Sequence, residues 1–287
     1  DLDSNRVQSA KKLVDDYYIK KGQPGYNSTK TYEHYEELLN NKDLDAVIIA
    51  TPDHWHVLPA IHAVQAGKHV YMEKPASLCI SEGRILSDEV MKSGRILQVG
   101  SQQRSMPQFK KACELVRNGR IGKIHTIYVG LPIDKPEEST VEKEMPVPPN
   151  LNFEKWLGAT PYVPYTEKLV HPQKDFSRPG WLGMGTEFTG TVEISGTSDW
   201  PAKEALWDVH GNYKTETLFA NGVKILASNS YTNGVKFVGS EGWIFVARGS
   251  YSATASDPVA KGKNEKALDA SDPKILTSVI GENEIHL

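Results

Sequence analysis

Three short apolar runs separated by helical patterns constrain this chain more than any other feature. Leu44 to Ala50, Lys68 to Met72 and Arg95 to Val99 read as strands, and the stretches between them, His56 to Ala66 and Ser81 to Ser93, read as helices. Gly67 and Gly94 stand where each helix should stop. Near-continuous apolar strands alternating with helices imply a parallel sheet covered on both faces, the doubly wound class.

Upstream, Asp3-Ser4 is a good N-cap pair for a helix carrying Val7, Ala10, Leu13, Val14 and Tyr17, which Gly22 to Gly25 should end. A short helix is predicted from Tyr32 to Asn40. Pro107 to Asn118 makes one more, ended by Gly119. Beyond it the pattern changes. Prolines from Pro132 to Pro164 surround Trp156 and read as anchored, irregular loop. Asn221-Gly222, between Tyr213 to Ala220 and Val223 to Ser230, is a hairpin signal, and Asn233-Gly234 is a second Asn-Gly pair. The second half is therefore expected to be mostly antiparallel sheet, with Lys261 to Lys266 as a solvated loop.

A chain of 287 residues is long enough for two domains at about 150 residues each. The expected division is 1–104, a doubly wound parallel α/β domain, and 105–287, an α+β domain of mostly antiparallel sheet. A net charge of −3 gives no reason to expect nucleic acid or an acidic membrane as partner. No apolar run approaches the roughly 20 residues of a membrane helix, so no membrane insertion is expected. Cys79 and Cys113 lie far apart in no metal-ligand spacing and are read as free thiols.

In an open parallel sheet ligands bind beyond the carboxyl ends of the strands, so the residues just past each strand are the place to search for a site. The tips are Thr51-Pro52-Asp53-His54-Trp55-His56, Glu73-Lys74-Pro75 and Gly100-Ser101-Gln102-Gln103-Arg104. All three carry polar or charged groups. Taken singly each has a plain structural role open to it. Thr51 and Asp53 fit a helix cap, and for Asp53 the cap is favoured. His54 and His56 alternate like metal ligands but lack a third, so no metal site is predicted and His56 is read as lining the cleft. Glu73 and Lys74 fit a surface ion pair, yet Lys74 follows a buried strand and precedes a rigid proline, which would orient and desolvate its ammonium.

These residues resemble the Gfo/Idh/MocA family, the glucose-fructose oxidoreductase and inositol dehydrogenase group. The matching stretches are LDAVIIATPDHWH, AGKHVYMEKPAS, ILQVGSQQR, LNFEKWLGATPYVPY and RPGW, in family order from Asp1 to about Gly242. The resemblance implies a Rossmann domain holding a nicotinamide cofactor and a second domain with a large open sheet, which often forms an oligomer interface. It implies that Lys74 is the catalytic lysine beside the nicotinamide and the substrate hydroxyl, followed by a Pro75 that is often cis. Asp1 falls at the acid that binds the adenosine ribose, so NAD is expected over NADP. Thr51, Pro52 and His56 match the segment on the adenine and pyrophosphate side, Glu73 a nucleotide-contacting acid, and Gln102 a polar residue near the nicotinamide. Trp156, Arg178 and Trp181 match second-domain residues near the cleft, with packing an equal reading for the tryptophans. Arg178 joins the expected cofactor-binding set.

Two family features have no counterpart in this sequence. The turn G-x-G-x-x-G should precede Asp1, and a stretch with an Asp and a His should fall between Leu182 and Gly183; His171 with Asp175 and Asp208 with His210 are the nearest substitutes. The expectation is that the sequence is an incomplete record of a larger protein. The implied reaction is hydride transfer between a sugar or polyol hydroxyl and NAD by a homo-oligomer, a dimer or tetramer. NAD-assisted glycoside cleavage by oxidation and elimination is one alternative, and non-catalytic nucleotide or sugar binding another. The expected compartment is the cytoplasm, with the periplasm as alternative because relatives with the DHWH and QQR variants are often exported.

Overall fold

The computed structural model describes residues 1–131, 143–170, 191–198, 212–248 and 267–287. Arg178, Trp181, His171, Asp175, Asp208, His210, the junction at 182–183 and the run 261–266 lie outside the described residues. In chain order the elements are α1 (Ser4–Lys20), α2 (Tyr35–Leu39), β1 (Ala46–Ile49), α3 (Val57–Gln65), β2 (His69–Glu73), α4 (Ile80–Ser93), β3 (Leu97–Gly100), α5 (Pro107–Arg117) and β4 (Ile124–Gly130). Next come α6 (Phe153–Leu157), α7 (Glu167–Val170), β5 (Thr191–Ser198), β6 (Tyr213–Phe219), β7 (Lys224–Ser228), β8 (Gly234–Gly239), β9 (Gly242–Val246), β10 (Leu268–Ala270) and α8 (Pro273–Thr277). They form two compact units, Asp1–Ser101 with Lys143–Val170, and Gln102–Glu142 with His171–Leu287. The division thus falls near the expected 104, but the segment Lys143–Val170 returns to the first unit.

In the first unit β1, β2 and β3 pair in that order, all parallel. Side chains alternate across the sheet because the strand period is two. Ile49, Val70 and Met72 are buried with Val57, Ala60, Ala63 and Val64 of α3 and Leu86 of α4. The opposite face differs from expectation: Ile48 is 77% exposed and Tyr71 42%. Among the described residues the helices cover one face, so the apolar strand signature is satisfied on one side only. Glycines behind α3 and α4 take positive φ as the helix-stop reading requires, Gly67 at 79° and Gly94 at 65°.

α1 contributes no buried residue. It is held at its start, where the Asp3 carboxylate accepts the amides of Asn5 and Arg6 and the side-chain amide of Asn150. The Ser4 amide donates to the Asn150 carbonyl, and the Asn152 amide to the Leu2 carbonyl. Lys143–Val170 is thereby a strap across the start of the chain, with Leu151, Phe153, Leu157 and Tyr165 as its own small core. α6 interrupts the expected loop. The helix predicted at Tyr32 to Asn40 shrinks to α2, because His34 is extended (φ −96°, ψ 118°) and the Tyr32 carbonyl accepts from the chain's first amine instead.

The second unit is a seven-stranded sheet in the order β10-β9-β8-β4-β7-β6-β5. Every pairing is antiparallel except that of β4 with β7, and the expected hairpin joins β6 to β7. β4 lies between β7 and β8, so the loop from Ser228 to Gly234 passes over its end. A side chain at Gly130 would collide with the Thr232 carbonyl there. Ala112 and Leu115 of α5 pack with Ile121, Ile244 and Val246, and Ile275 of α8 joins them.

Candidate active site

The tip of β1 turns through a short 3-10 segment, Asp53–Trp55, before α3 begins. Neither piece has a side-chain cap, so the capping reading of Asp53 is corrected. Thr51 acts in the reverse sense: its hydroxyl donates to the Trp55 carbonyl at 2.8 Å, closing the turn from its C-terminal end. His54 and Trp55 are both turned onto the strap. The Trp156 carbonyl receives the Trp55 indole N–H at 3.0 Å and lies 2.8 Å from His54 Nε2. The Trp156 ring stacks on Phe153 and meets His54 edge-on at 5.4 Å, which is a packing role.

The tip of β2 carries Glu73, Lys74 and Pro75, with a cis peptide bond between the last two. Glu73 is half-buried and paired in register with Gly100 of β3. Lys74 is exposed, so the predicted desolvation is not found among the described residues; the chain leaves the sheet after Glu73. His56 does not line an open cleft. Its ring is 1% exposed and sits between the two tips, with Nδ1 2.7 Å from the Pro75 carbonyl and Nε2 2.9 Å from the Thr51 carbonyl. β1 and β2 are adjacent parallel strands, which brings Thr51 and Lys74–Pro75 side by side.

Asp1 is exposed, one carboxylate oxygen accepting the Asp3 amide at 3.0 Å. Pro52 is half-buried behind Thr51. Gln102 opens the second unit in a 3-10 turn, Gln102–Ser105, and is half-buried. The predicted residues of the first two tips are therefore together, while Arg178 lies outside the described residues. Sequence reading missed a second polar cluster behind the β1 tip. The Tyr35 hydroxyl lies 2.8 Å from His62 Nδ1, and Lys155 of the strap donates to His34 Nδ1 at 2.7 Å and to Glu36. Burial, with Glu36 alongside, pushes the Tyr35 phenol up to about 12. Its members lie up to 121 residues apart, so no local motif could announce it. Among the described residues no three His, Cys, Asp or Glu gather as a metal-holding group, and no helix is long and apolar enough to cross a membrane.

A three-stranded parallel sheet with polar residues at its carboxyl-end tips defines the class of fold: a Rossmann-type α/β domain. Residues 5–101 match the family model GFO_IDH_MocA, described as "Oxidoreductase family, NAD-binding Rossmann fold". The chain is 29% identical over 214 residues to YrbE of Bacillus subtilis, an uncharacterized oxidoreductase, covering 72% of this chain and 57% of that one. It is 32% identical over 158 residues to the myo-inositol 2-dehydrogenase of Thermotoga maritima, covering 55% of this chain and 41% of that one. The chain thus spans about half the length of these curated relatives. The fold resembles the WlbA dehydrogenase of Bordetella pertussis, solved in complex with NADH and UDP-GlcNAcA, with TM-score 0.56 and 16% identity over 86% of this chain and 67% of that one.

Proposed function

We propose that this chain serves an NAD-dependent oxidoreductase that moves a hydride between a carbon-bound hydroxyl of a sugar or polyol and nicotinamide. The observation that carries this is the convergence of the Thr51 and Lys74–Pro75 tips at the carboxyl ends of β1 and β2, bridged by His56. The fit to a dinucleotide is supported by the donor set. The exposed Asp1 carboxylate offers an acceptor for ribose hydroxyls and would repel a ribose phosphate, favouring NAD over NADP. Thr51, Pro52 and Glu73 are assigned to the nucleotide side, and Gln102 and Arg178 to the cofactor, by the family resemblance. When bound, the nicotinamide supplies the hydride acceptor.

Lys74 is the residue read as catalytic. Its ammonium only donates, so it holds the oxygen of the reacting hydroxyl and stabilises negative charge as the proton passes to water. Rigid backbone on either side of it fixes the approach of that oxygen. Lys74→Ala in the full-length protein is expected to lower kcat by about 10²–10⁴, across a panel of polyols that includes myo-inositol. Calorimetric titration should still show NAD binding, and binding it in preference to NADP. Unchanged turnover would remove Lys74 from the reaction. The open sheet of the second unit is read as the homo-oligomer interface, and sedimentation of a monomer at assay concentration would refute that.

A further inference from the structure

We infer that His56 is the positioning residue for Lys74, an inference that rests on reading Lys74 as the group that meets the substrate hydroxyl. The two carbonyls beside the His56 ring, those of Pro75 and Thr51, can only accept, and a neutral imidazole carries one N–H, so the ring donates to one of them and packs against the other; the shorter contact is Nδ1 to Pro75, at 2.7 Å. A side chain 1% exposed and wedged between two main-chain carbonyls has no freedom to swing. Its hold on Pro75 matters because that residue has no backbone N–H, and its ring already fixes φ. Once the carbonyl is also fixed, ψ is set, and the backbone on the C-terminal side of Lys74 cannot turn. His56 thereby anchors the backbone that immediately follows Lys74, whose exposed four-carbon stem leaves the chain there. The contact of the second ring nitrogen with the Thr51 carbonyl refers that anchor to the neighbouring strand tip, where the nucleotide is proposed to lie.

A purely structural histidine would support the fold without controlling the lysine, and the test separates the two. In the full-length protein, Lys74 is acylated with an amine-selective reagent, with and without NADH, and its modification is followed by mass spectrometry. NADH is expected to protect Lys74 in the unmodified protein. His56→Leu, which removes the ring N–H at similar size, is expected to lose that protection while NADH fluorescence shows the cofactor still bound. His56→Gln, whose amide carries two N–H groups, is expected to recover part of it. Protection retained in His56→Leu overturns the inference and leaves the role of Lys74 standing. Absence of protection in the unmodified protein with NADH bound overturns the reading of Lys74 itself, and this inference with it. A measurement on the unmutated chain covers the case in which His56→Leu does not fold: hydrogen-bond coupling between a His56 ring N–H and the Pro75 carbonyl is expected by NMR, and its absence overturns the inference.

Discussion

Gly158 has a φ of 60°, and a Cβ built on it would lie 2.8 Å from the Trp55 indole. The strap reaches the β1 tip only because that position carries no side chain. Gly158→Ala is therefore expected to cost about 1–3 kcal/mol by chemical denaturation, through overpacking and an unfavourable φ. Tyr35 supplies a pH-dependent counterpart. Its folded phenol ionises near 12, above the ordinary value near 10, so its contribution is full below pH 10 and is lost as pH rises toward 12. Difference absorbance of the tyrosines should show a late ionisation step that Tyr35→Phe removes. At this scale the sequence set Thr51, His56 and Lys74 at neighbouring strand tips, but not their surroundings. Lys74 proved exposed and His56 buried, because exposure depends on where each tip leaves the sheet, which no single motif encodes.

Element boundaries were legible wherever a residue acts through its own backbone. Asp3 caps α1, Gly94 ends α4 at φ 65°, and Asn221-Gly222 joins β6 to β7, because cap and turn chemistry is local. What was hidden depends on partners distant in sequence. The bare face of β1 and β2 reads as apolar as the covered face, since Ile48 and Ile49 are the same residue with opposite surroundings. The parallel pairing of β4 with β7 was equally silent, for nothing in either strand names its neighbour. It is testable at Gly130, over which the β7–β8 loop passes. Gly130→Ala is expected to cost about 1–3 kcal/mol in urea unfolding, because the collision is with main chain that cannot rotate away.

For the molecule as a whole, the sequence shows a change from helix-strand alternation to hairpin signals, but nothing in it indicates that Lys143–Val170 joins Asp1–Ser101 in one compact unit. A strap read from sequence is only a proline-rich stretch; its partners lie far earlier in the chain, His54 and Trp55 by 102 and 101 residues and Asp3 by 147, with Leu2 beside it. Leu157 is 7% exposed in the strap core, so Leu157→Ala is expected to cost about 2–5 kcal/mol. Hydrogen exchange should then speed up at the Ser4 and Asn152 amides while β4 and β8 keep their protection. Unchanged exchange at Ser4 would show that α1 does not depend on the strap. The place of β4 also bears on how the polypeptide matures. β4 leaves the ribosome about a hundred residues ahead of the two strands that must receive it, and those two, once made, are joined by a loop short enough for them to zip onto each other instead. Productive folding of this half is thus a race between insertion of the waiting strand and closure of the gap it should fill, and slowing translation beyond residue 240 should favour insertion.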